Sequence, residues 1–434
     1  MDGGRLNILH DGCLFSVQET AVECGASSTA IHRGIFWLGY CPKHTLSSQT
    51  VGYFVLNTGA FCELPISIFV LFQIPFHLKT FRSVSGNVTH TIIAWILTIY
   101  MLFFMILVML RIVDIFHDNE ATLLRKIIII ITLEGFFMVT FKDISGAFYQ
   151  KKFQNLVDWT EKLHTVKEDN HLVQKIVDKD LEKTIKFGNI LFKLYGSLVG
   201  TAVFGLMVTY VVSHFVVIKI PYFESQHKEL IYLLIQEVSL FILAIWDVTS
   251  DSGIIFLGLY MLAFVKIINK MIKALSDQKA MIECPNLLLE TMKKHREMIE
   301  ILETFNSAIK LMSFTQLLMS TITFLTLLFS IQIDWHQFLF QMIFIVVLVE
   351  LFLLCLFGEI IKCESASIFW NLYLTKWYEM SLKDQKIILI MMMNSQKEIG
   401  LKAVGMYDIS LMAFIQILKM SFSYSAIILT FTKH

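Results

Sequence analysis

The sequence predicts an all-α, polytopic membrane protein with seven transmembrane helices, its N-terminus inside and its C-terminus outside. Three observations lead there. The first is composition: of 434 residues, 56% are hydrophobic and mean hydropathy is +0.64, too apolar for an ordinary soluble chain. The second is a series of apolar runs, each near or above the ~20 residues that a bilayer demands of a helix. The third is the placement of Lys between those runs, which alternates rich and poor.

Residues before Tyr40 show neither periodicity nor a signal-peptide pattern and read as a tail. Val51–Phe76 is apolar, but Pro65 and Pro75 bracket a run of only nine residues, Ile66–Ile74. That is too short to span and fits a helix lying in the interface. Residues 1–90 are therefore expected to form a cytoplasmic tail with an interfacial helix, and residues 91–434 the seven-helix domain. The seven runs are Ile92–Val113, Leu124–Phe148, Asn189–Phe215, Ile231–Phe264, Met312–Ile333, Phe338–Ile361 and Gly405–Phe431. The fourth is overlong and carries Asp247, Asp251 and Gly253, so it either projects beyond the membrane or breaks there.

Gln150–Lys186 carries eight lysines, Lys266–Lys310 seven with Arg296, and Lys362–Lys402 six. Asp114–Ala121 and Asp334–Gln337 carry no Lys or Arg, and Lys219–Lys228 only two. Positively charged loops stay cytoplasmic, which sets the amino end inside. The sequon Asn87-Val88-Thr89 then faces the cytosol and stays unglycosylated. The rich connections also read as helical: Phe153–Lys186 places Leu156, Trp159 and Leu163 on one face, and Leu287–Lys310 does so with Leu287, Met292, Ile299 and Phe305. Ile368–Met393 alternates aromatic and charged residues before the apolar run Ile387–Met393.

The last run carries a polar stripe. Asp408, Gln416, Lys419, Ser423 and Thr430 fall on one helical face, with Met412 and Ile427 filling it. Charged and polar groups at bilayer depth face protein or water, so a terminal helix of this kind reads as pore-lining through Gln416, Ser423, Ile427 and Thr430. Lys419 is read as packing or pairing, with Glu350 an available acid, instead of lining the pore. Only three residues follow Phe431, and no further domain is expected.

A formal net charge of zero implies neither nucleic acid nor an acidic ligand. Seven scattered cysteines lack CxxC or Cys/His spacing. No hydrolase triad, HExxH or phosphate loop is present, and Glu134, Glu237 and Glu350 are too dispersed for a catalytic pair. No enzyme, cofactor or metal site is expected. A G-protein-coupled receptor is disfavoured by the inverted topology and by the absence of Asp/Glu-Arg-Tyr and Asn-Pro-x-x-Tyr. A transporter would show internal repeats, which are not seen.

The C-terminal third resembles the insect odorant receptor family of seven-helix ligand-gated channels. The resemblance is carried by Asn371–Trp377, which is similar to the family's Tyr-x-x-x-Trp stretch. It continues through Met392–Lys397, Gly405–Phe414 and Lys419–Ser425. Phe141-Lys-Asp143 through Trp159, and His295 through Phe324, are similar to its second helix and to its entry into the fifth. Ser423–Phe431 departs from the ending of the related gustatory receptors, which remain the alternative. The second cytoplasmic loop is shorter than that of the family's coreceptor, so the chain looks like a ligand-tuning subunit. The resemblance implies a heterotetramer with the odorant receptor coreceptor, forming a non-selective cation channel in the plasma membrane of olfactory dendrites. It also implies a small volatile organic ligand bound in the outer half of the membrane between helices two, three, four and six. Aromatic and polar residues of those helices are the candidate contacts: Phe136, Phe137, Tyr210, His214, Trp246 and Phe256, with Met207, Phe215 and Phe241 beside them.

Overall fold

A computed structural model describes residues 88–117, 122–165, 171–213, 216–217, 228–333, 338–405 and 407–432. The expected interfacial helix at Val51–Phe76 and the sequon at Asn87 lie outside the described residues, as do His214 and Phe215.

The helices are α1 (Val88–His117), α2 (Leu123–Phe148), α3 (Gln150–Thr165), α4 (His171–Ser213) and α5 (Lys228–Ala274), then α6 (Gln278–Glu283), α7 (Leu287–Ile333), α8 (Phe338–Tyr373), α9 (Leu382–Ser395) and α10 (Leu411–Thr432). A 3-10 turn (Trp377–Glu379) precedes α9, and a two-stranded hairpin, β1 (Lys402–Ala403) with β2 (Tyr407–Asp408), precedes α10.

Among the described residues six helices are long and apolar enough to cross a membrane: α1, α4, α5, α7, α8 and α10. The seventh expected span, α2, has 26 residues, about 39 Å, which is sufficient length. It carries Arg125, Lys126, Glu134, Lys142 and Asp143 and so is the most charged of the set. Its deep charges are met by neighbours: Thr98 of α1 donates to the Asp143 carboxylate, and Thr326 of α7 donates to Glu134 at 3.1 Å.

The fourth span does not break. α5 runs unbroken for 47 residues through Asp247, Asp251 and Gly253, and its last turns extend far past a ~30 Å hydrocarbon core. α7 is also 47 residues long, fusing the expected amphipathic helix Leu287–Lys310 to the span Met312–Ile333. Its first half carries Glu290, Lys293, Lys294, His295, Arg296, Glu297 and Glu300, too many charges for lipid, and packs instead within a layer of α3, α9 and the end of α5. There Phe153, Leu156 and Trp159 of α3 are buried. Trp159 meets Phe264 edge-on at 5.1 Å and donates Nε1–H to Glu297 at 2.8 Å. Lys270 of α5 pairs with Asp180 of α4 at 2.5 Å, and Asn269 donates to Ser367 of α8 at 2.8 Å. The Lys-rich connections thus form one packed end of the bundle, opposite the end where α1 meets α2.

Buried His295 supplies a testable consequence in that layer. Ser395 of α9 gives its own proton to the Met391 carbonyl at 2.8 Å, so it accepts from His295 Nε2 at 3.0 Å, and the ring is held neutral. Burial pushes the imidazole from the ordinary 6.5 down to about 4. The folded state therefore binds fewer protons than the unfolded chain between those values, and stability falls as pH drops through that window. At about 1.4 kcal/mol per pH unit the loss approaches 3 kcal/mol by pH 4. Melting of purified protein between pH 7 and 4.5 should drop less steeply in His295→Gln; parallel curves would contradict the buried neutral ring.

Candidate functional site

Four helices, α2, α4, α5 and α8, line a half-open cavity of about 150 Å³. Small residues create it: Gly135 of α2, Ala202 of α4 and Ala244 of α5 face the space, and a Cβ built on Gly135 meets its nearest neighbour, Leu243, at 4.0 Å. Ile128, Ile131, Leu206, Leu240, Phe340 and Ile343 complete an apolar wall. Its polar groups are Thr132, Tyr210 and Asp247. Thr132 donates to the Ile128 carbonyl at 2.8 Å, so in the 2.9 Å pair between Thr132 and Tyr210 the tyrosine donates.

One turn deeper the four helices are tied by charge. Lys142 of α2 sends its ammonium to Asp251 at 2.6 Å, Glu350 of α8 at 2.8 Å and Asp247 at 3.1 Å. Tyr195 of α4 donates to the second oxygen of Asp251 at 2.8 Å. Asp247 and Asp251 stand four apart on α5 and share a face, which is why both reach one cation. The ligand atoms of these three acids lie within 4.8 Å of one another, a spacing that suits a metal ion, but the ammonium contacts all three. A smaller cavity of about 50 Å³ lies on the far side, lined by Lys142, Asp251, Glu350, Ser313 and Gln316. The ion cluster is thus a partition between two spaces.

Of the aromatic candidates, Tyr210 lines the larger cavity. Phe136 and Trp246 are buried in the adjoining cluster with Met101 and Phe104 of α1 and do not face the space. Phe137 points away and stacks on Phe141 at 6.1 Å. Phe256 sits beyond the ion cluster, against Gly188 and edge-on to Tyr260 at 5.0 Å. His214 lies outside the described residues. Sequence reasoning missed Thr132, Gly135 and Phe340 because nothing local distinguishes them. The cluster did leave a signal: a lone lysine inside a span requires a buried acid.

The terminal helix begins later than the run Gly405–Phe431 suggests. Ala403 and Tyr407 pair across a hairpin whose turn places Val404 at φ 51° and Gly405 at φ 76°, and α10 starts at Leu411. Asp408 therefore leaves the helical stripe; it sits in β2, 3.7 Å from Lys402. The hairpin docks on α7 through Lys402 N–H to Asn306 at 2.8 Å and Val404 N–H to the Lys310 carbonyl at 3.2 Å. α10 buries Ala413, Ser421 and Ser425 against α7 and α8. Met412, Gln416, Lys419, Ser423, Ile427 and Thr430 are all exposed on the opposite side. Lys419 does not pair with Glu350, whose partner is Lys142. Glu359 of α8 accepts from the Leu411 N–H at 3.3 Å, joining the helix that walls the cavity to the first turn of α10.

A family model described as 7tm Odorant receptor matches residues 121–422 of this chain. The chain belongs to the seven-transmembrane odorant receptor family. Odorant receptor 33b of Drosophila melanogaster is 26% identical over 141 residues, 32% of the receptor described here and 37% of the relative. Odorant receptor 33a of the same fly is 24% identical over 148 residues, 33% and 39% of the two chains. The receptor thus aligns with under two fifths of the length of these curated relatives. The fold is shared with the insect olfactory receptor OR5 from Machilis hrabei. Its structure in complex with eugenol superposes at a TM-score of 0.66, with 13% identity over 85% of this receptor and 98% of that chain. A second structure of the same receptor gives 0.67 with 11% identity, over 85% and 97%. The receptor is a multi-pass membrane protein of a receptor family, not of an enzyme family.

Proposed function

We propose that this receptor is the ligand-binding subunit of a heteromeric odorant-gated, non-selective cation channel in the plasma membrane of olfactory neuron dendrites, assembled as a tetramer with the odorant receptor coreceptor. The observation that carries the reading is the two-faced terminal helix: one side is seated on α7 and α8, the other is a polar face left uncovered by its own chain. Such a face at bilayer depth needs water or a partner subunit, and a ring of them around an axis supplies both. Residues 91–434 then form the channel domain. The end where α1 meets α2 is extracellular, and the Lys-rich end, together with residues 1–90, is cytoplasmic.

The odorant occupies the cavity between α2, α4, α5 and α8, the second, third, fourth and sixth spans, between which the family resemblance leads the ligand to be expected. Phe340, Ile343 and Val346 on its wall share α8 with Glu359. A ligand that shifts α8 therefore moves the start of α10, which is the physical route from pocket to pore.

Co-expression with the coreceptor, followed by an odorant panel read as current, tests the function. The expected result is odorant-evoked cation current in the pair and little or none from either this chain alone or the coreceptor alone. Strong responses from this chain in cells verified to lack the coreceptor remove the tuning-subunit reading. A second measurement tests the pore. Gln416→Ala and Ser423→Ala should shift reversal potential or conductance, while Tyr210→Phe should shift the half-maximal odorant concentration. Unchanged permeation in both α10 variants would make the stripe a packing seam between subunits.

A further inference from the structure

We propose that the cavity selects small ligands carrying a hydrogen-bond donor, a hydroxyl or an amine, which binds the carboxylate of Asp247. This deepens the reading of the cavity as the odorant site and rests on it. Asp247 is the member of the ion cluster that lines the larger cavity. Its side chain is 19% exposed, against 2% for Lys142 and 9% for both Asp251 and Glu350. Lys142 engages Oδ1, and no donor among the described residues reaches Oδ2. The three ammonium protons are already divided among three carboxylates, so Lys142 cannot serve that oxygen as well.

The rest of the wall has little to donate. Thr132 spends its proton on Ile128, and Tyr210 donates to Thr132. The backbone N–H groups of the lining helices are held in the helices. An ether, ketone or ester enters a space whose polar groups are acceptors or are committed, and gains no bond. An alcohol, phenol or amine meets a carboxylate oxygen of a half-buried side chain at the cavity wall, and hydrogen bonds to charged groups are the strong ones. Volume sets the size: an apolar cavity of about 150 Å³ holds benzene, so the ligand is a single ring or a chain of about six carbons.

The test uses full-length receptor with its coreceptor and matched triplets. These are benzyl alcohol, anisole and ethylbenzene, and 1-pentanol, butyl methyl ether and hexane, with benzylamine added to separate amine from hydroxyl. The alcohol should act at a half-maximal concentration about tenfold or more below its ether. Asp247→Asn should bring that ratio to within about threefold, and Asp247→Glu should preserve it. Surface labelling reports whether each variant is delivered; if Asp247→Asn is not, the parent's ratio and that of Asp247→Glu decide. Equal or better responses to the ethers, an unchanged ratio in Asp247→Asn, or silence to every probe overturns the proposal. Gly135→Leu separates this from the underlying reading by filling the cavity. If it abolishes responses, the cavity is the odorant site whatever the ratio. If all responses persist, that reading fails too.

Discussion

Lys142→Met is expected to collapse the yield of folded receptor. The substitution leaves the carboxylates of Asp247, Asp251 and Glu350 within 4.8 Å of one another inside the bundle, without the cation that all three contact. Removing one partner of a buried charge group costs about 3–5 kcal/mol, because the others remain desolvated and unpaired. Since a typical domain is stable by only about 5–15 kcal/mol, most of the margin is lost. Replacing the whole cluster behaves differently, as a well-packed hydrophobic set of similar volume is often neutral. Lys142→Met combined with Asp247→Leu, Asp251→Leu and Glu350→Met should therefore recover much of the folded fraction. Size-exclusion profiles and melting of fluorescently tagged protein measure both. A single variant that melts like the parent would contradict the cluster's burial.

Gly358→Ala is expected to be nearly as damaging, for a steric reason. A Cβ at Gly358 on α8 would stand 2.1 Å from the Ile409 carbonyl oxygen and 2.9 Å from its carbon. Both are backbone atoms, and Ile409 is held by its N–H bond to the Leu401 carbonyl at 2.9 Å. The segment leading into α10 must move away, and the Glu359–Leu411 bond beside it must stretch or break. Overpacking usually costs about 1–3 kcal/mol, and a backbone contact this short belongs at the upper end or beyond. Loss of stability and of odorant-evoked current should appear together. Gly200→Ala is the control: nothing lies within 4 Å of its Cβ, and alanine in a helix interior gains about 0.5–1 kcal/mol over glycine. If the two variants melt alike, the close approach of α8 to the linker is not as described.

These two sites differ in how far the chain itself discloses them. Asp247 and Asp251 read as an interruption of the fourth span, because two acids and Gly253 in one apolar run look locally like a break. Nothing within that segment says that Lys142, more than a hundred residues earlier, supplies the missing charge. Gly358 carries no signal at all: a glycine in an apolar helix acquires meaning only from the carbonyl packed against it. Asp408 shows the opposite failure. Its spacing suits the helical stripe, but Val404 and Gly405 adopt positive φ and turn the chain into a hairpin first.

The chain by itself determined the order of the apolar helices among the described residues, the helical nature of the charged connections, and which residues of α10 share a polar face. Each of these is a property of spacing along one segment, and a bilayer or a helix imposes a fixed period on it. The tertiary structure alone decided which residues meet. It turned Phe136 and Trp246 into α1-facing core, left Tyr210 at the cavity, and joined Lys142, Asp247, Asp251 and Glu350 across three helices. Aromatic side chains look alike in sequence whether they face a cavity or a neighbouring helix. The rotation of each helix about its axis, which separates the two cases, is set by packing against residues far away in the chain.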